Sequence, residues 1–371
     1  MQFRDYHIIN ILNLYSDSKR PIDSHLRYYF KEHRALGSKD RRHICDLIYR
    51  LIRHQALLDY RLTAPITWEK RLNALKNPLP FPTDAPPHIQ VSFPKSLFTR
   101  LTADYGLEKA LELAKTSNEP APTMIRANRQ KITRDELFNR LADHHPIQKD
   151  PNSENALIFD KRLNFFALEE FKMGYFEVQD SGSQKLASLV NAKPKEHILD
   201  FCSGSGGKSL AFAPDMEGLG QIYLSDIRPF ILDEAKKRFK RAGIQNVQFL
   251  TKEKLNNAAL KHKMDAILLD VPCSGSGTLR RNPDLKWRYC EETLNRLIEE
   301  QRRIVKEALP FLKEDGRIIY GTCSLFQAEN QEQIRFFETH YNLTLAEAPF
   351  VSHPKSGGGD GFFGAVLKRI K

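Results

Sequence analysis

The sequence predicts an α/β fold with a mostly parallel sheet, preceded by a helical N-terminal region. Three features of the 371 residues support this prediction. The C-terminal half alternates short Ile-, Leu- and Val-rich runs with amphipathic stretches, which is typical of βαβ units. The first ~75 residues place apolar side chains at helical spacing. A proline-rich stretch separates the helical region from the rest of the chain, and we expect prolines at this density to exclude helix and central strand.

One amphipathic segment dominates the helical region, residues 1–76. Its apolar residues recur at the spacing of a single buried helix face: Ile44, Leu47, Ile48, Leu51 and Ile52. The opposite face presents four arginines: Arg41, Arg42, Arg50 and Arg53. A basic face of this kind is either a solvated surface or a site of contact with phosphate groups.

Three segments come after the helical region. Residues 77–94 hold six prolines and are predicted to be a linker. Residues 95–173 are a mixed segment with helical stretches. Residues 174–371 carry the alternating pattern, with strands predicted at HILDFC, QIYLSD, VQFLT, DAILLDVP and RIIYGTC. Ligands of parallel sheets bind at the carboxyl ends of strands, so the residues directly after these runs are the candidate site.

Composition narrows the class of protein. The net charge is +11, which favours a polyanionic partner such as nucleic acid, although many basic proteins are merely soluble. The five cysteines lack zinc-binding spacing, and their odd number argues against a disulfide framework. No run approaches the ~20 apolar residues of a membrane span. We therefore expect a cytoplasmic protein without a metal or membrane partner, and nothing in the sequence requires more than a monomer.

A glycine-rich stretch follows the first predicted strand: Cys202, Ser203, Gly204, Ser205, Gly206, Gly207 and Lys208. A phosphate-binding P-loop has the pattern G-x-x-x-x-G-K-[ST], and here Cys202 occupies the first glycine position. The alternative is a loop that binds a nucleoside, which requires an acidic residue after the next strand. Asp226 stands at that position, although alone it could be a helix cap. We favour the nucleoside loop.

Two cysteines stand where the fourth and fifth predicted strands end, Cys273 in DVPCSGSG and Cys323 in GTCS. A structural cysteine lies more often within an apolar run, so these positions favour a chemical role. A thiolate can add to carbon 6 of cytosine, after which carbon 5 can attack a methylsulfonium group. A carboxyl group near the ring nitrogen stabilises such an adduct, and Asp270 is placed to supply it.

With these motifs the chain resembles the RsmB/Sun/Nop2 family of RNA cytosine-carbon-5 methyltransferases, and within it the enzymes of bacterial small-subunit (16S) ribosomal RNA. The resemblance covers residues 174–371 and rests on FEVQDSGSQKLASLV, HILDFCSGSGGKSL, LSDIRP, LLDVPCSGSGTLRRNPDLKWR, YGTCSLFQAENQEQI and DGFFGAVLKR. It implies a Rossmann-like class I methyltransferase domain at 174–371 that uses S-adenosylmethionine.

The resemblance also implies roles for single residues. Cys323 matches the family nucleophile, and Cys273 matches the residue that helps to release the product. Lys208 matches a lysine that faces the active site, and the loop from Cys202 to Lys208 matches the loop that holds the methionine part of the cofactor. Asp226 matches the acid that binds the ribose, and Asp270 the acid near the methionine and the target base.

The chain departs from the family pattern at two places. The family usually has Ala-Pro at Gly204-Ser205, so we expect a somewhat more flexible loop. The family also places an aspartate after the third strand to hold the adenine, whereas here Glu253 is the nearest acidic residue. The adenine contact is therefore left unassigned.

Upstream, the helical region resembles part of a NusB-like RNA-binding domain, in shortened form, and residues 95–173 resemble the RNA-binding segment that precedes the family's catalytic domain. These likenesses imply 16S ribosomal RNA as the substrate. Three alternatives stay open: a transfer RNA substrate, a non-catalytic RNA-binding factor on a methyltransferase scaffold, and a P-loop nucleotide hydrolase.

The basic helix face yields a test. Replacing both Arg41 and Arg42 with alanine is expected to weaken RNA binding, because fewer phosphates are neutralised. The plot of log affinity against log salt concentration is expected to become less steep by about 0.9 for each lost phosphate contact. Binding to a 16S ribosomal RNA transcript, titrated at several salt concentrations, measures this slope. Unchanged affinity and slope would make the face a plain solvated surface.

Overall fold

The computed structural model describes residues 2–16, 18, 20–78, 80–159, 163–255 and 257–370. The chain forms two compact units. The first comprises Met1–Pro120 together with Leu279–Cys290, and the second comprises Ala121–Thr278 together with Glu291–Lys371. The first unit thus extends beyond the proline-rich stretch and includes a segment from the C-terminal half of the sequence.

The first unit is helical. Its helices are α1 (Phe3–Ser16), α2 (Ile22–Glu32), α3 (Ser38–Arg53), α4 (Gln55–Asp59), α5 (Trp68–Lys76), α6 (Pro87–Gln90), α7 (Lys95–Tyr105) and α8 (Leu107–Ser117). The predicted apolar face lies on α3, and its five residues are buried in a core that also includes side chains of α1, α2 and α5. Helix α3 therefore forms as its apolar periodicity predicts.

Two expectations about this unit are wrong. Arg53 is not on the exposed basic face, since it is only 5% exposed and its guanidinium donates to the carbonyl oxygen of Arg280 at 2.7 Å. The proline-rich stretch is not free of helix, because α6 begins at Pro87. A proline is tolerated in the first turn of a helix, where its missing N–H would have had no partner.

The segment Leu279–Cys290 follows the Cys273 motif in the sequence yet belongs to the helical unit. Its 3₁₀ helix, Pro283–Arg288, is anchored by buried side chains. The ammonium group of Lys286 donates to the carbonyl oxygens of Arg53 (2.6 Å) and Ser92 (2.8 Å) and to Oδ1 of Asn118 (2.8 Å). Three acceptors match the three N–H donors of a protonated lysine, although burial lowers the pKa of Lys286 well below its usual value.

The second unit begins with a four-stranded antiparallel sheet in the order β2-β3-β1-β4. Its elements are β1 (Thr123–Ala127), α9 (Arg134–Ala142), β2 (Ile147–Lys149), β3 (Ala156–Phe159), α10 (Glu169–Lys172) and β4 (Phe176–Val178). Aromatic residues, among them Phe159, Phe165 and Phe176, form a core on one side of this sheet.

The large sheet of the second unit has the order β10-β12-β9-β8-β5-β6-β7, with β11 paired to β12. Its strands are β5 (His197–Asp200), β6 (Gln221–Ser225), β7 (Val247–Leu250), β8 (Met264–Asp270), β9 (Leu312–Thr322), β10 (Leu343–Leu345), β11 (Phe350–Ser352) and β12 (Phe362–Arg369). The first five correspond to the five predicted strands and are parallel, whereas β12 runs antiparallel to β9.

Helices cover both faces of the large sheet: α11 (Ser181–Ser188), α12 (Ser209–Phe212), α13 (Pro229–Ala242), α14 (Lys252–Leu255), α15 (Glu291–Ala308) and α16 (Gln331–His340). Alternate residues of β8 enter different cores. Ile267 and Leu269 pack with residues of α15 and α16, whereas Ala266 and Leu268 pack with residues of α11, α12 and α13. Burial on both faces explains why the strands read as continuous apolar runs, and the predicted Rossmann-like class I fold is confirmed.

Among the described residues, no helix has the length and apolar character needed to cross a membrane.

The buried lysine yields a prediction about stability. Replacing Lys286 with methionine keeps the apolar stem but leaves three buried oxygens without a donor, so we expect a loss of about 2–4 kcal/mol in the free energy of unfolding. Thermal unfolding followed by circular dichroism measures the loss. Lys31→Met, at an exposed position of α2, is the matched control, and equal melting temperatures of the two variants would contradict the anchoring role.

Candidate active site

A cavity of about 700 Å³ opens at the carboxyl ends of β5, β6 and β8 in the second unit. Part of its lining consists of residues at or directly after the ends of these strands: Phe201, Cys202, Ser203, Gly204, Asp226, Ile227, Arg228, Asp270, Val271 and Pro272. The lining also includes Leu255, the last residue of α14, and Glu300, Arg303, Ile304 and Glu307 of α15. The site thus lies at the predicted edge of the sheet.

The glycine loop after β5 depends on two left-handed residues. Gly204 has φ +51° and Gly206 has φ +76°, which favour glycine. A Cβ atom at Gly206 would lie 2.7 Å from the ring of Phe239, so any larger residue would clash there. A Cβ atom at Gly204 would meet nothing within 4 Å. Since Gly204 also lines the cavity, its missing side chain leaves free space for a ligand close to the backbone.

Ser205 anchors this loop through Arg238 of α13. The guanidinium of Arg238 donates to the carbonyl oxygen (3.0 Å) and the hydroxyl oxygen (2.5 Å) of Ser205. Arg238 is in turn held by the buried carboxylate of Glu177 at 2.9 Å. These contacts restrain the loop at the position where the sequence predicts greater flexibility.

Asp226 connects the glycine loop to the exit of β6. Its carboxylate accepts hydrogen bonds from the backbone N–H of Gly204 at 2.9 Å and from the backbone and guanidinium of Arg228 at 2.9–3.1 Å. Burial alone would raise the pKa of Asp226, but these hydrogen bonds outweigh burial and lower it. Asp226 is therefore a charged acceptor at the rim of the cavity.

Asp200 at the end of β5 has a different environment. It is 1% exposed, and Oδ2 accepts a hydrogen bond from the hydroxyl of Ser209 at 2.6 Å. Within the described part of the chain, Oδ1 has no hydrogen-bond partner. Burial raises the pKa of Asp200 to about 7. The two acids beside the loop therefore have different charge states near pH 6.

Lys208 and Asp270 form an ion pair between the end of the glycine loop and the end of β8. Burial is the largest single influence on Lys208 and lowers its pKa, but Asp270, with smaller contributions from Cys323 and Asp200, raises it, and the net pKa is above its usual value. Lys208 is thus a permanent cation close to a thiol and a carboxylate.

The side chains of the two cysteines at the strand ends are in contact. The sulfur atoms of Cys273 and Cys323 lie 3.4 Å apart, although 50 residues separate them in the sequence. A hydrogen bond to Cys323, together with burial, raises the pKa of Cys273 well above its usual range. Gly277 completes this arrangement because its N–H donates to the carbonyl oxygen of Cys323 at 2.9 Å. A Cβ atom at Gly277 would lie 2.3 Å from the carbonyl oxygen of Gly361.

The predicted site residues fall into two groups. Those that line the cavity are Cys202, Ser203, Gly204, Asp226 and Asp270; those that do not are Ser205, Gly206, Gly207, Lys208, Cys273 and Cys323. Cys202 lines the cavity. Burial and the nearby Asp200 raise the pKa of its thiol. Asp270 lines the cavity and is ion-paired with Lys208, whose pKa is raised in part by the nearby Cys323.

Sequence reasoning missed the rest of the cavity wall. Leu255, and not Glu253, lines the cavity after the third strand of the pattern, and α15 contributes Glu300, Arg303 and Glu307. Ile227, which is 79% exposed, stands directly after Asp226. An apolar residue next to a predicted binding acid was the available signal for Ile227, whereas the α15 residues look like an ordinary solvated helix face. No group of His, Cys, Asp and Glu among the described residues could hold a metal ion.

Asp200 gives a pH-dependent prediction. Because its folded pKa is raised to about 7 from a usual 3.8, the folded state binds the extra proton between these values, and stability falls as pH rises through this window. Asp200→Asn removes this loss. We expect the free energy of unfolding of the variant to exceed that of the parent by about 1–4 kcal/mol at pH 8 and to equal it below pH 4. One pKa unit corresponds to about 1.4 kcal/mol. Melting temperatures from pH 4 to pH 9 measure the difference, and a pH-independent difference would contradict the raised pKa.

Comparisons with known families match two parts of the chain. The family described as 16S rRNA methyltransferase RsmB/F matches residues 187–368, and a family described as the RsmF/B-like ferredoxin-like domain matches residues 93–165. A probable ribosomal RNA small subunit methyltransferase B from Synechocystis is 33% identical over 260 residues, which cover 68% of this chain and 57% of that protein. The ribosomal RNA small subunit methyltransferase B of Photorhabdus laumondii is 32% identical over 291 residues, which cover 74% of this chain and 66% of that protein.

The chain spans less than two thirds of the length of these two relatives. Among solved structures, PH0851 superposes with a TM-score of 0.82 at 23% identity over 98% of this chain and 97% of its own. NSun6 from Pyrococcus horikoshii with SFG superposes with a TM-score of 0.67 at 21% identity, over 76% of this chain and 99% of its own. These likenesses support the fold, and the sequence matches show that the chain belongs to the RsmB/Sun (RsmB/F) methyltransferase family.

Proposed function

We propose that this protein methylates carbon 5 of cytosine in RNA with S-adenosylmethionine as methyl donor, and that its substrate is 16S ribosomal RNA. The observation that carries the proposal is the pair of thiols, 3.4 Å apart, near the ion-paired Lys208; Cys273 directly follows Pro272, which lines the cavity. A scaffold without chemistry would have no reason to keep two thiols in contact beside a buried cation.

The cavity fits S-adenosylmethionine in size and chemistry. The space left at Gly204 admits the methionine part close to the backbone, and the charged carboxylate of Asp226 suits the ribose hydroxyls as an acceptor. Ile227, Leu255 and Phe311 offer apolar surface for the adenine. When bound, the cofactor supplies an electrophilic methyl group on a sulfonium sulfur.

Cys323 is the nucleophile of the proposed reaction. The hydrogen bond to Cys323 and burial raise the pKa of Cys273 well above its usual range, which disfavours Cys273 as the attacking thiolate. The thiolate sulfur adds to carbon 6 of cytosine, and the electron pair of the 5,6 double bond becomes available at carbon 5. Asp270 is suited to stabilise the ring of the adduct through its carboxyl group.

After methyl transfer, carbon 5 carries both the methyl group and its original proton. A base takes up this proton, the electron pair of its bond to carbon 5 restores the 5,6 double bond, and the bond between carbon 6 and sulfur breaks to leave a thiolate on Cys323. Cys273 is the neighbouring group that assists release. Its role and that of Cys323 are therefore separable, because adduct formation needs Cys323 and adduct breakdown needs Cys273.

The choice of 16S ribosomal RNA rests on the family and on the names of the relatives, together with the basic charge of the chain. The chain covers at most 66% of the two relatives described above, so the substrate is part of the proposal. A transfer RNA substrate would use the same thiol chemistry.

Two single-cysteine variants test the proposal. Cys323→Ala is expected to lower methylation at least about 1,000-fold, because the nucleophile is lost, while cofactor affinity stays within about twofold. Cys273→Ala is expected to accumulate a covalent protein–RNA adduct. Bisulfite sequencing of ribosomal and transfer RNA from a deletion strain complemented with each variant identifies the modified cytosine, and denaturing gels detect the adduct.

Cys290→Ala is the matched control, since Cys290 is exposed in the first unit. Methylation by Cys323→Ala at the parental level would refute the assignment of the nucleophile. A modified transfer RNA site would keep the chemistry and discard the ribosomal substrate. No saturable binding of S-adenosylmethionine, together with no methylation of any RNA, would favour the non-catalytic scaffold.

A further inference from the structure

Glu329 is a buried carboxylate that the proposed reaction does not use. It lies in a 3₁₀ turn, Gln327–Glu329, just beyond the Cys323 loop, and it is 0% exposed. Oε1 accepts the backbone N–H of Ser274 at 2.8 Å and the side-chain amide of Gln301 at 3.0 Å. Oε2 accepts the hydroxyl groups of Ser274 and Ser324, each at 2.5 Å. Four donors thus satisfy one carboxylate.

The residues that Glu329 binds are the direct neighbours of the two thiols. Ser274 follows Cys273, and Ser324 follows Cys323. The two loops come from different strands, and one carboxylate oxygen accepts a hydrogen bond from each of them. Ser276 adds a second connection, because its hydroxyl lies 3.2 Å from that of Ser324 and accepts the N–H of Leu325 at 2.8 Å.

Buried side chains hold Glu329 itself in place. Gln301 of α15 donates to Glu329 and to the carbonyl oxygen of Pro272, the residue before Cys273, at 3.0 Å in both cases. The hydroxyl of Tyr320 lies 2.7 Å from the carbonyl oxygen of Glu329. Asn330 donates to the carbonyl oxygen of Ser324 at 2.9 Å. The carboxylate therefore cannot move without disturbing both loops.

We propose that Glu329 is a positioning residue that sets the distance between the Cys273 and Cys323 sulfurs. This inference rests on the proposed function, in which both thiols act. A carboxylate suits the task because it only accepts, so both serine hydroxyls donate to it and their orientations are determined. Burying a charge lowers the stability of the fold, whereas an apolar residue at this position would not. A role in positioning the two thiols accounts for this cost.

Glu329→Gln tests the inference, because glutamine keeps the size but replaces one acceptor with a donor. We expect kcat for RNA methylation to fall about tenfold to a hundredfold, while KM for RNA and the Kd for S-adenosylmethionine stay within about twofold. Glu332→Gln, at an exposed position of α16 three residues away, is the matched control and is expected to match the parent. The variants Ser274→Ala and Ser324→Ala each remove one hydroxyl donor to Glu329 and are expected to show the same pattern, more weakly.

A second readout needs neither RNA nor cofactor. Diamide takes up two electrons and two protons from a pair of adjacent thiols and leaves a disulfide, and the rate depends on how the two sulfurs approach each other. Mass spectrometry of peptides containing Cys273 and Cys323 measures this rate. We expect it to fall at least about fivefold in Glu329→Gln and in one or both serine variants, and not in Glu332→Gln.

The two readouts separate this inference from the proposed function. Folded Glu329→Gln protein with the parental kcat and the parental disulfide rate would overturn the positioning role. If Glu329→Gln fails to fold, the serine variants decide, and parental disulfide rates in both would overturn it. A parent protein that methylates no RNA but whose disulfide rate falls on substitution would refute the proposed function while retaining the role of Glu329 in setting the thiol geometry.

Discussion

The parallel pairing of β8 with β9 is the constraint on which the site depends. Asp270 is in register with Gly321, and the N–H of Val271 donates to the carbonyl oxygen of Gly321 at 3.1 Å. Both strands are buried on both faces, so a shift of register by one residue would exchange the side chains between two different cores. Because the strands are parallel and end together, the loops that carry Cys273 and Cys323 leave the same edge of the sheet.

The pKa values of Asp226 and Asp200 shift in opposite directions because the environments of these two acids differ. Asp226 accepts several hydrogen bonds and its pKa is lowered, whereas Asp200 is buried with one donor and its pKa is raised to about 7. Asp270 is paired with the Lys208 ammonium, and Glu329 accepts four hydrogen bonds. Carboxyl groups whose surroundings separate their pKa values, as at Asp226 and Asp200, can perform different tasks within one site. The local donors, more than the residue type, determine the chemistry open to each acid.

The division of the chain into two units adds a constraint of a different kind. The chain leaves the second unit after Thr278, only five residues beyond Cys273, and returns to it at Glu291. Within that interval, Lys286 binds three acceptors from the helical unit. The helical unit is therefore completed by residues that stand more than 150 positions later in the sequence than Pro120, and the motif that carries Cys273 continues into that unit.

The sequence by itself determined the α/β fold, the five parallel strands and the positions of both thiols at strand ends, since alternating apolar runs and strand-end motifs are local signals. The apolar face of α3 was equally readable. The tertiary structure alone decided that Arg53 is buried, that Lys286 belongs to the helical unit, that α15 forms a cavity wall and that Glu329 joins the two cysteine loops. Each of these depends on contacts between residues far apart in the chain. A periodic pattern shows which residues are buried, but the partner that satisfies a buried charge is known only when the elements have packed.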